Sequence, residues 1–269
     1  MDKLIITAAM VGAEVTKEHN PALPITAEEI GEEAYRCYRA GASIIHLHVR
    51  KEDGRPTQDR EVFSRAIEEI RKRCDVIVQV STGGAVGMSA EERMQPLELK
   101  PEMATLTTGT CNFGSEIFTN PEGYIEKFAL KMKEYGIKPE IEVFERGMIS
   151  NALTLVKKGL LSTPLHFDFV MGVPGAIPGE VRDLVYLVDS IPEGSTWTVA
   201  GIGRTETPLS LAAIAMGGNV RVGFEDNIYY SKGVLAESNV QLVERIARIS
   251  RDAGREVASP DEARRILGI

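Results

Sequence analysis

Two histidines, His46 and His48, stand one residue apart in the apolar run Ile44-Ile45-His46-Leu47-His48-Val49-Arg50. The run is rich in β-branched residues and bounded by Gly41 and Glu52-Asp53-Gly54, so it reads as a buried strand. Side chains two apart on a strand share a face. Both imidazoles therefore project together at the end of a strand, and two such nitrogens are half of a zinc site. The chain has 4 histidines, so half of its supply is concentrated here. Catalytic zinc takes three protein ligands and keeps one position open. With no cysteine pair and no third well-placed histidine, the remaining ligand has to be a carboxylate.

Other residues bear chemistry as well. Arg221 and Asp226 are five apart, which puts them on opposite faces of an ideal strand. They meet only if the chain bends between them, as Gly223 would permit. One reading makes Asp226 a base tuned by Arg221; the other makes the pair a barrel-closing salt bridge. Spacing alone favours the second. Ser81-Thr82-Gly83-Gly84 offers hydroxyls and free N–H groups to a carboxylate or phosphate. Gly201-Ile202-Gly203-Arg204 has the look of a phosphate grip. His166 falls early in its strand and reads as core, His19 lies in a loop, and Cys111 has no histidine partner to make it a nucleophile.

The elements that must position these residues alternate along the whole chain. Short apolar runs cover Leu4–Met10, Ser43–Arg50, Val76–Thr82, Met103–Thr108, Glu140–Phe144, Leu165–Gly172, Thr196–Gly201 and Val220–Asp226. Amphipathic stretches lie between them: Thr26–Ala40, which opens with a Thr26/Glu29 capping box, then Asp59–Arg73, Pro121–Tyr135, Ser150–Lys158, Glu180–Ser190, Thr207–Met216 and Glu237–Ala253. Ser89–Gln95 reads as a short helix, and a last one starts at Ser259-Pro260. Eight strands alternating with helices in one chain predict a (β/α)8 TIM barrel, a single domain over 1–269. The rival is an open doubly wound sheet, but no GxGxxG follows the first strand, where Ala8-Ala9-Met10-Val11-Gly12 stands.

Barrel sites form at the C-terminal ends of the strands. The polar residues gather there: Glu14; His46, His48 and Arg50; Ser81 to Gly84; Thr105, Thr107 and Thr108; Glu142 and Glu145; Arg204; and Arg221, Glu225, Asp226 and Asn227. Closure sets strand eight beside strand one, with strand two next along. Glu225 is then the best third metal ligand, with Glu142 in reserve.

Composition narrows the class. The chain has 269 residues and a net charge of −8, with a pI near 5.2, which argues against a nucleic-acid partner. No apolar run approaches the roughly 20 residues of a membrane helix, and the strand-like N-terminus does not read as a signal peptide. Cys37, Cys74 and Cys111, odd in number and widely spaced, fit a reducing cytoplasm. The apolar loop residues Met88, Phe113 and Ile117 are expected on the surface and would support a homo-oligomer, dimer or tetramer.

With these residues in place, the chain resembles the β-keto acid cleavage enzymes from end to end. The markers are Gly12-Ala13-Glu14-Val15-Thr16-Lys17 with Asn20-Pro21 and Leu23-Pro24-Ile25-Thr26; His46-Leu47-His48-Val49-Arg50; Val80-Ser81-Thr82-Gly83-Gly84; Glu140-Ile141-Glu142-Val143-Phe144; Gly172-Val173-Pro174-Gly175; and Arg221-Val222-Gly223-Phe224-Glu225-Asp226-Asn227. Ala176 stands where members commonly have a second glycine. The resemblance implies a zinc-bearing barrel that converts a β-keto acid and acetyl-CoA to acetoacetate and a new acyl-CoA. It makes His46, His48 and Glu225 the zinc ligands and Arg221 and Asp226 the catalytic dyad, overruling the spacing argument. Ser81 with Thr105 or Thr107 would help hold the keto acid, as would Thr82 and Gly84 of the same polar loop. Glu14 and Glu142 would line the pocket; together they could hold an ammonium group, which favours 3-keto-5-aminohexanoate, a substrate of lysine fermentation, giving 3-aminobutanoyl-CoA. Arg50, Lys51 and Arg204 are the candidates for the CoA phosphates. The alternatives are another zinc-dependent barrel lyase or hydrolase, and a non-catalytic barrel that binds a small acid.

Overall fold

The computed structural model describes residues 2–269. Eight strands form the barrel: β1 (Ile6–Ala9), β2 (Ile44–Leu47), β3 (Ile77–Val80), β4 (Met103–Thr107), β5 (Lys138–Val143), β6 (His166–Met171), β7 (Thr196–Gly201) and β8 (Asn219–Val222). Each pairs in parallel with the next, and β8 pairs with β1 to close the ring. The fold is the (β/α)8 barrel the alternation predicts. The strands are short and apolar on their outer faces because helices cover them. Those helices are α1 (Ala27–Ala40), α2 (Arg60–Arg71), the one-turn α3 (Ala90–Arg93), α4 (Glu122–Tyr135), α5 (Arg146–Lys157), α6 (Val181–Val188), α7 (Glu206–Met216) and α8 (Asn239–Asp252). Thr26 and Glu29 form the predicted capping box at the start of α1.

Period-two alternation divides each strand between two cores. Ile6, Ala8, Ile45, Leu47, Val78 and Val80 pack outward with the helices in the main apolar cluster. Ile5, Ile44, Ile77 and Met103, at the strand starts, form a second cluster with Ala258, Ala263 and Leu267. The latter three belong to or precede α9 (Pro260–Leu267), which plugs the N-terminal end of the barrel. α9 begins with a Ser259/Glu262 capping box and Pro260 in its first turn.

Three differences from the sequence reading bear on the site. Strand eight ends at Val222 and not at Asp226. Gly223 adopts φ 147, and the Asp226 and Asn227 amides turn back to donate to its carbonyl. A side chain at Gly223 would run into the Ala9 carbonyl oxygen, so glycine is what lets β8 turn sharply against β1. Second, three small hairpins decorate the mouth: Val49–Arg50 with Pro56–Thr57, Cys111–Phe113 with Glu116–Phe118, and Tyr229–Ser231 with Val234–Leu235. Third, of the apolar loop residues expected outside, only Ile117 is largely exposed, at 61%. Met88 is half-buried, its sulfur accepting from the Ala85 amide, and Phe113 is half-buried against the core. Among the described residues, no helix is long and apolar enough to cross a membrane.

Candidate active site

His46 is the last residue but one of β2, its ring inside the barrel, cross-strand from Ala9 on β1 and Gln79 on β3. His48 follows on the same face, its ring centroid 5.4 Å from that of His46. The turn after β8 brings Glu225 to both: Oε1 lies 3.4 Å from His46 Nε2 and 3.5 Å from His48 Nε2. Gly12 makes room for this approach, since a Cβ there would stand 2.7 Å from Glu225 Cγ. Donors bound at zinc distances to a tetrahedral ion sit about 3.3–3.5 Å apart, and these separations match.

Two further observations fit a cation at this cluster. His46 Nδ1 is 2.7 Å from Gln79 Oε1, an acceptor for an Nδ1 proton, so the neutral ring would keep its lone pair on Nε2. That Nε2 and Glu225 Oε2 are buried without a hydrogen-bond partner among the described residues. Burial drives His48 down to about 4, keeping it neutral and ready to ligate. For His46 burial opposes protonation, but the neighbouring Glu225 prevails and raises it. Burial likewise works against ionising Glu225, yet His48, Arg221 and His46 hold it well below the ordinary carboxylate range. The chain thus brings an anionic carboxylate and two imidazoles to one point.

Arg221, on β8, grips Asp226 with two hydrogen bonds, Nε to Oδ2 at 2.9 Å and Nη2 to Oδ1 at 2.8 Å. Nη2 also donates to Glu225 Oε1 at 2.7 Å. Burial raises Asp226 above the usual aspartate range, with Arg221 holding it back. A carboxyl so raised can exchange a proton, and it stands beside the His46, His48 and Glu225 cluster. The bend at Gly223 is what joins two residues that strand spacing would separate.

The cavity beside these groups measures about 430 Å³. Glu14, His48, Ser81, Gly84, Glu142, Arg221, Glu225 and Asp226 face it. Thr82, Thr105 and Thr107 lie behind its wall. Thr82 and Thr105 bond to each other across the β3 and β4 ends, and the Thr107 hydroxyl donates to Glu142 Oε2 at 2.6 Å. These threonines shape the wall from behind and do not themselves line the cavity. Burial raises Glu142, and it stays apart from the His46, His48 and Glu225 cluster. Arg50 corrects another expectation. Its guanidinium is buried and donates to the carbonyls of Gly12, Gly54 and Val15, so it braces the loop that carries Glu14 and has no face to offer a CoA phosphate. Arg204 and Lys51 are exposed. Cys111 is buried, its thiol pushed by burial up to about 12. His166 pairs with Glu140 in the barrel interior, and His19 is exposed, bonding to Thr16.

Sequence reasoning missed the roof of the cavity. Phe113, Gly114, Ser115, Glu116 and Phe118 come from the hairpin after β4, which is tied to the loop after β6 by the Gly114 N–H to Pro174 carbonyl bond. Phe113, Phe118 and Phe144 meet edge to face at its base. Gln79 and Asp168 were also missed. Their signal was present: each lies two residues from a polar residue already singled out, Ser81 and His166, hence on the same face.

Fold and site together define a (β/α)8 enzyme whose polar groups converge on the C-terminal mouth. The chain belongs to the β-keto acid cleavage enzyme family, whose sequence model matches residues 3–269. It is 61% identical to the 3-keto-5-aminohexanoate cleavage enzyme of Fusobacterium nucleatum subsp. nucleatum, over 100% of this chain and 99% of that protein. It is 40% identical to the 3-oxoadipate:acetyl-CoA acetyltransferase of Cupriavidus necator, over 98% of this chain and 94% of that one. Among solved structures, a ternary complex of ObcA with C4-CoA adduct and oxalate superposes with a TM-score of 0.80 at 22% identity, covering 93% of this chain and 68% of that one, a likeness of fold.

Proposed function

We propose that this enzyme cleaves 3-keto-5-aminohexanoate with acetyl-CoA, yielding acetoacetate and 3-aminobutanoyl-CoA, in a reducing cytoplasm and as a homo-oligomer. The observation that carries the reading is the convergence of His46, His48 and Glu225 beside the Arg221–Asp226 pair on one cavity. In this reading the three residues hold zinc. When bound, the metal supplies Lewis acidity where negative charge develops on the keto acid.

The chain's own residues account for the remaining steps. The Ser81 to Gly84 loop receives the substrate carboxylate. Asp226, oriented by Arg221, takes a proton from the carbon between the two carbonyl groups. That carbon attacks the thioester carbonyl of acetyl-CoA and displaces the CoA thiolate. The thiolate adds to the neighbouring keto carbon, the adjacent C–C bond breaks, and acetoacetate leaves as its carbanion takes the proton back from Asp226. Atoms balance: six carbons of keto acid and two of acetyl become two four-carbon products.

Glu14 supports the amino substrate. It is exposed, faces the cavity, and leaves its carboxylate available to an ammonium group. Glu142 is a weaker second arm, since Thr107 occupies one of its oxygens and Arg221 Nη1 faces the other at 3.6 Å. The 61% identical relative is named for the same amino acid substrate. The test incubates the purified protein with acetyl-CoA and, separately, 3-keto-5-aminohexanoate, 3-oxohexanoate and 3-oxoadipate, reading acyl-CoA products by mass. The amino acid should turn over best, and Glu14→Ala should raise its KM far more than that of 3-oxohexanoate. No turnover of any acid would refute the enzyme reading; equal KM changes would refute the ammonium contact.

A further inference from the structure

The barrel interior beneath the dyad is charged, where barrels are commonly filled by branched apolar residues. Glu140 and His166 pair there at 2.9 Å, both side chains fully out of solvent. Asp168 lies one inward position further along β6, cross-strand from Glu142 on β5 and Thr198 on β7. It too is fully buried. Its Oδ2 accepts from Arg221 Nη1 at 3.4 Å, and its Oδ1 has no partner among the described residues.

Arg221 is therefore held on two edges. The Nε–Nη2 edge carries Asp226, and Nη1 points down to Asp168. A guanidinium is a rigid planar fork, so restraining Nη1 sets the direction of the opposite edge. Glu142 also faces Nη1, at 3.6 Å, but Thr107 already fixes that carboxyl. A buried carboxyl is expensive to keep in a barrel core, and an apolar residue of similar size would pack there at lower cost. Asp168 touches neither the cavity nor the metal cluster.

We propose that Asp168 is a positioning residue, which fixes the plane of Arg221 from below and so aims Asp226 at the substrate. The inference rests on reading Arg221 and Asp226 as the catalytic pair. Burial, and next the neighbouring Glu140, pushes the Asp168 carboxyl well above the usual range. What Nη1 takes from position 168 is an acceptor oxygen at a fixed place, which the amide oxygen of asparagine also supplies.

The test compares Asp168→Asn with Asp168→Leu in purified, metal-loaded enzyme, measuring kcat, KM for both substrates and thermal unfolding. The Asn variant should retain most of kcat. The Leu variant should lose roughly 10–100-fold in kcat at unchanged KM, the scale of a misplacement of about 1 Å. Should Asp168→Leu fail to fold, Asp168→Ser, too short to reach Nη1, takes its place. A folded Leu or Ser variant with wild-type kcat overturns the proposal, as does an equal loss in the Asn variant or a loss confined to KM. Asp226→Asn separates the two layers of the argument: a variant that still turns over refutes the dyad itself, whereas an inactive one beside an active Asp168→Leu refutes only the role of Asp168.

Discussion

At the scale of the residue, the site depends on which atoms are left bare. His46 can offer Nε2 because Gln79 occupies Nδ1. Gln79 is fully buried and has no other assigned task, so it sets both the tautomer and the tilt of the ring. We expect Gln79→Leu to weaken metal binding about 10–100-fold, read by competition with a chromophoric chelator. His46→Ala should lose both the metal and acetoacetate formation. If Gln79→Leu binds metal like the parent protein, the ring is oriented by packing alone. Asp226 shows the same dependence on a neighbour, since its carboxyl is held by two of the nitrogens of Arg221.

At the scale of the element, the turn after β8 is the piece on which the site hangs, and it is braced from behind. Glu206, at the start of α7, accepts from the Asn227 amide at 3.1 Å and from Arg245 of α8 at 2.7 Å. Burial pushes Glu206 up to about 8, against the pull of Asn227 and Arg245. An acid harder to ionise in the folded chain binds more protons folded than unfolded. Its contribution to stability is thus complete below the ordinary glutamate value of 4.5 and is lost as pH climbs through about 8. Thermal unfolding should fall in temperature across that window, and Glu206→Gln should flatten the fall. An unchanged slope in the Gln variant would assign the pH dependence elsewhere. The eight strands and their order were legible because parallel strands covered on one side by helices read as apolar runs. The end of β8 was not, because Phe224 continues the apolar pattern past the break and only Gly223 marks it. The hairpin that roofs the cavity has strands of three residues, too short to show a period. For Gln79 and Asp168 the inward face was legible but the role was not: an inward polar residue has meaning only once cross-strand neighbours are known, and Gln79 acquires its role from His46 on β2.

At the scale of the whole molecule, the two ends of the barrel divide stability from chemistry. α9 closes the bottom, where Leu267 is 1% exposed and packs with Ile5, Ile44, Ile77 and Met103. Leu267→Ala should cost about 2–5 kcal/mol and lower the unfolding temperature by roughly 5–15 °C, with kcat at ambient temperature unchanged. A fall in kcat without a fall in stability would contradict that division. The column of buried charge between the two ends has a further consequence. Arg221 on β8 draws its acceptors from β6 and from its own turn, and His166 on β6 draws Glu140 from β5. A half-barrel of β1 to β4 would hold His46 without Glu225, and its complement would carry Arg221 and a surplus of carboxylates with an open edge. Neither half satisfies these pairs alone, so we expect the ring to assemble in one cooperative step. Denaturant unfolding followed by tryptophan fluorescence at Trp197 and by far-UV dichroism should therefore trace one coincident transition; two separated transitions would mean that the halves stand alone.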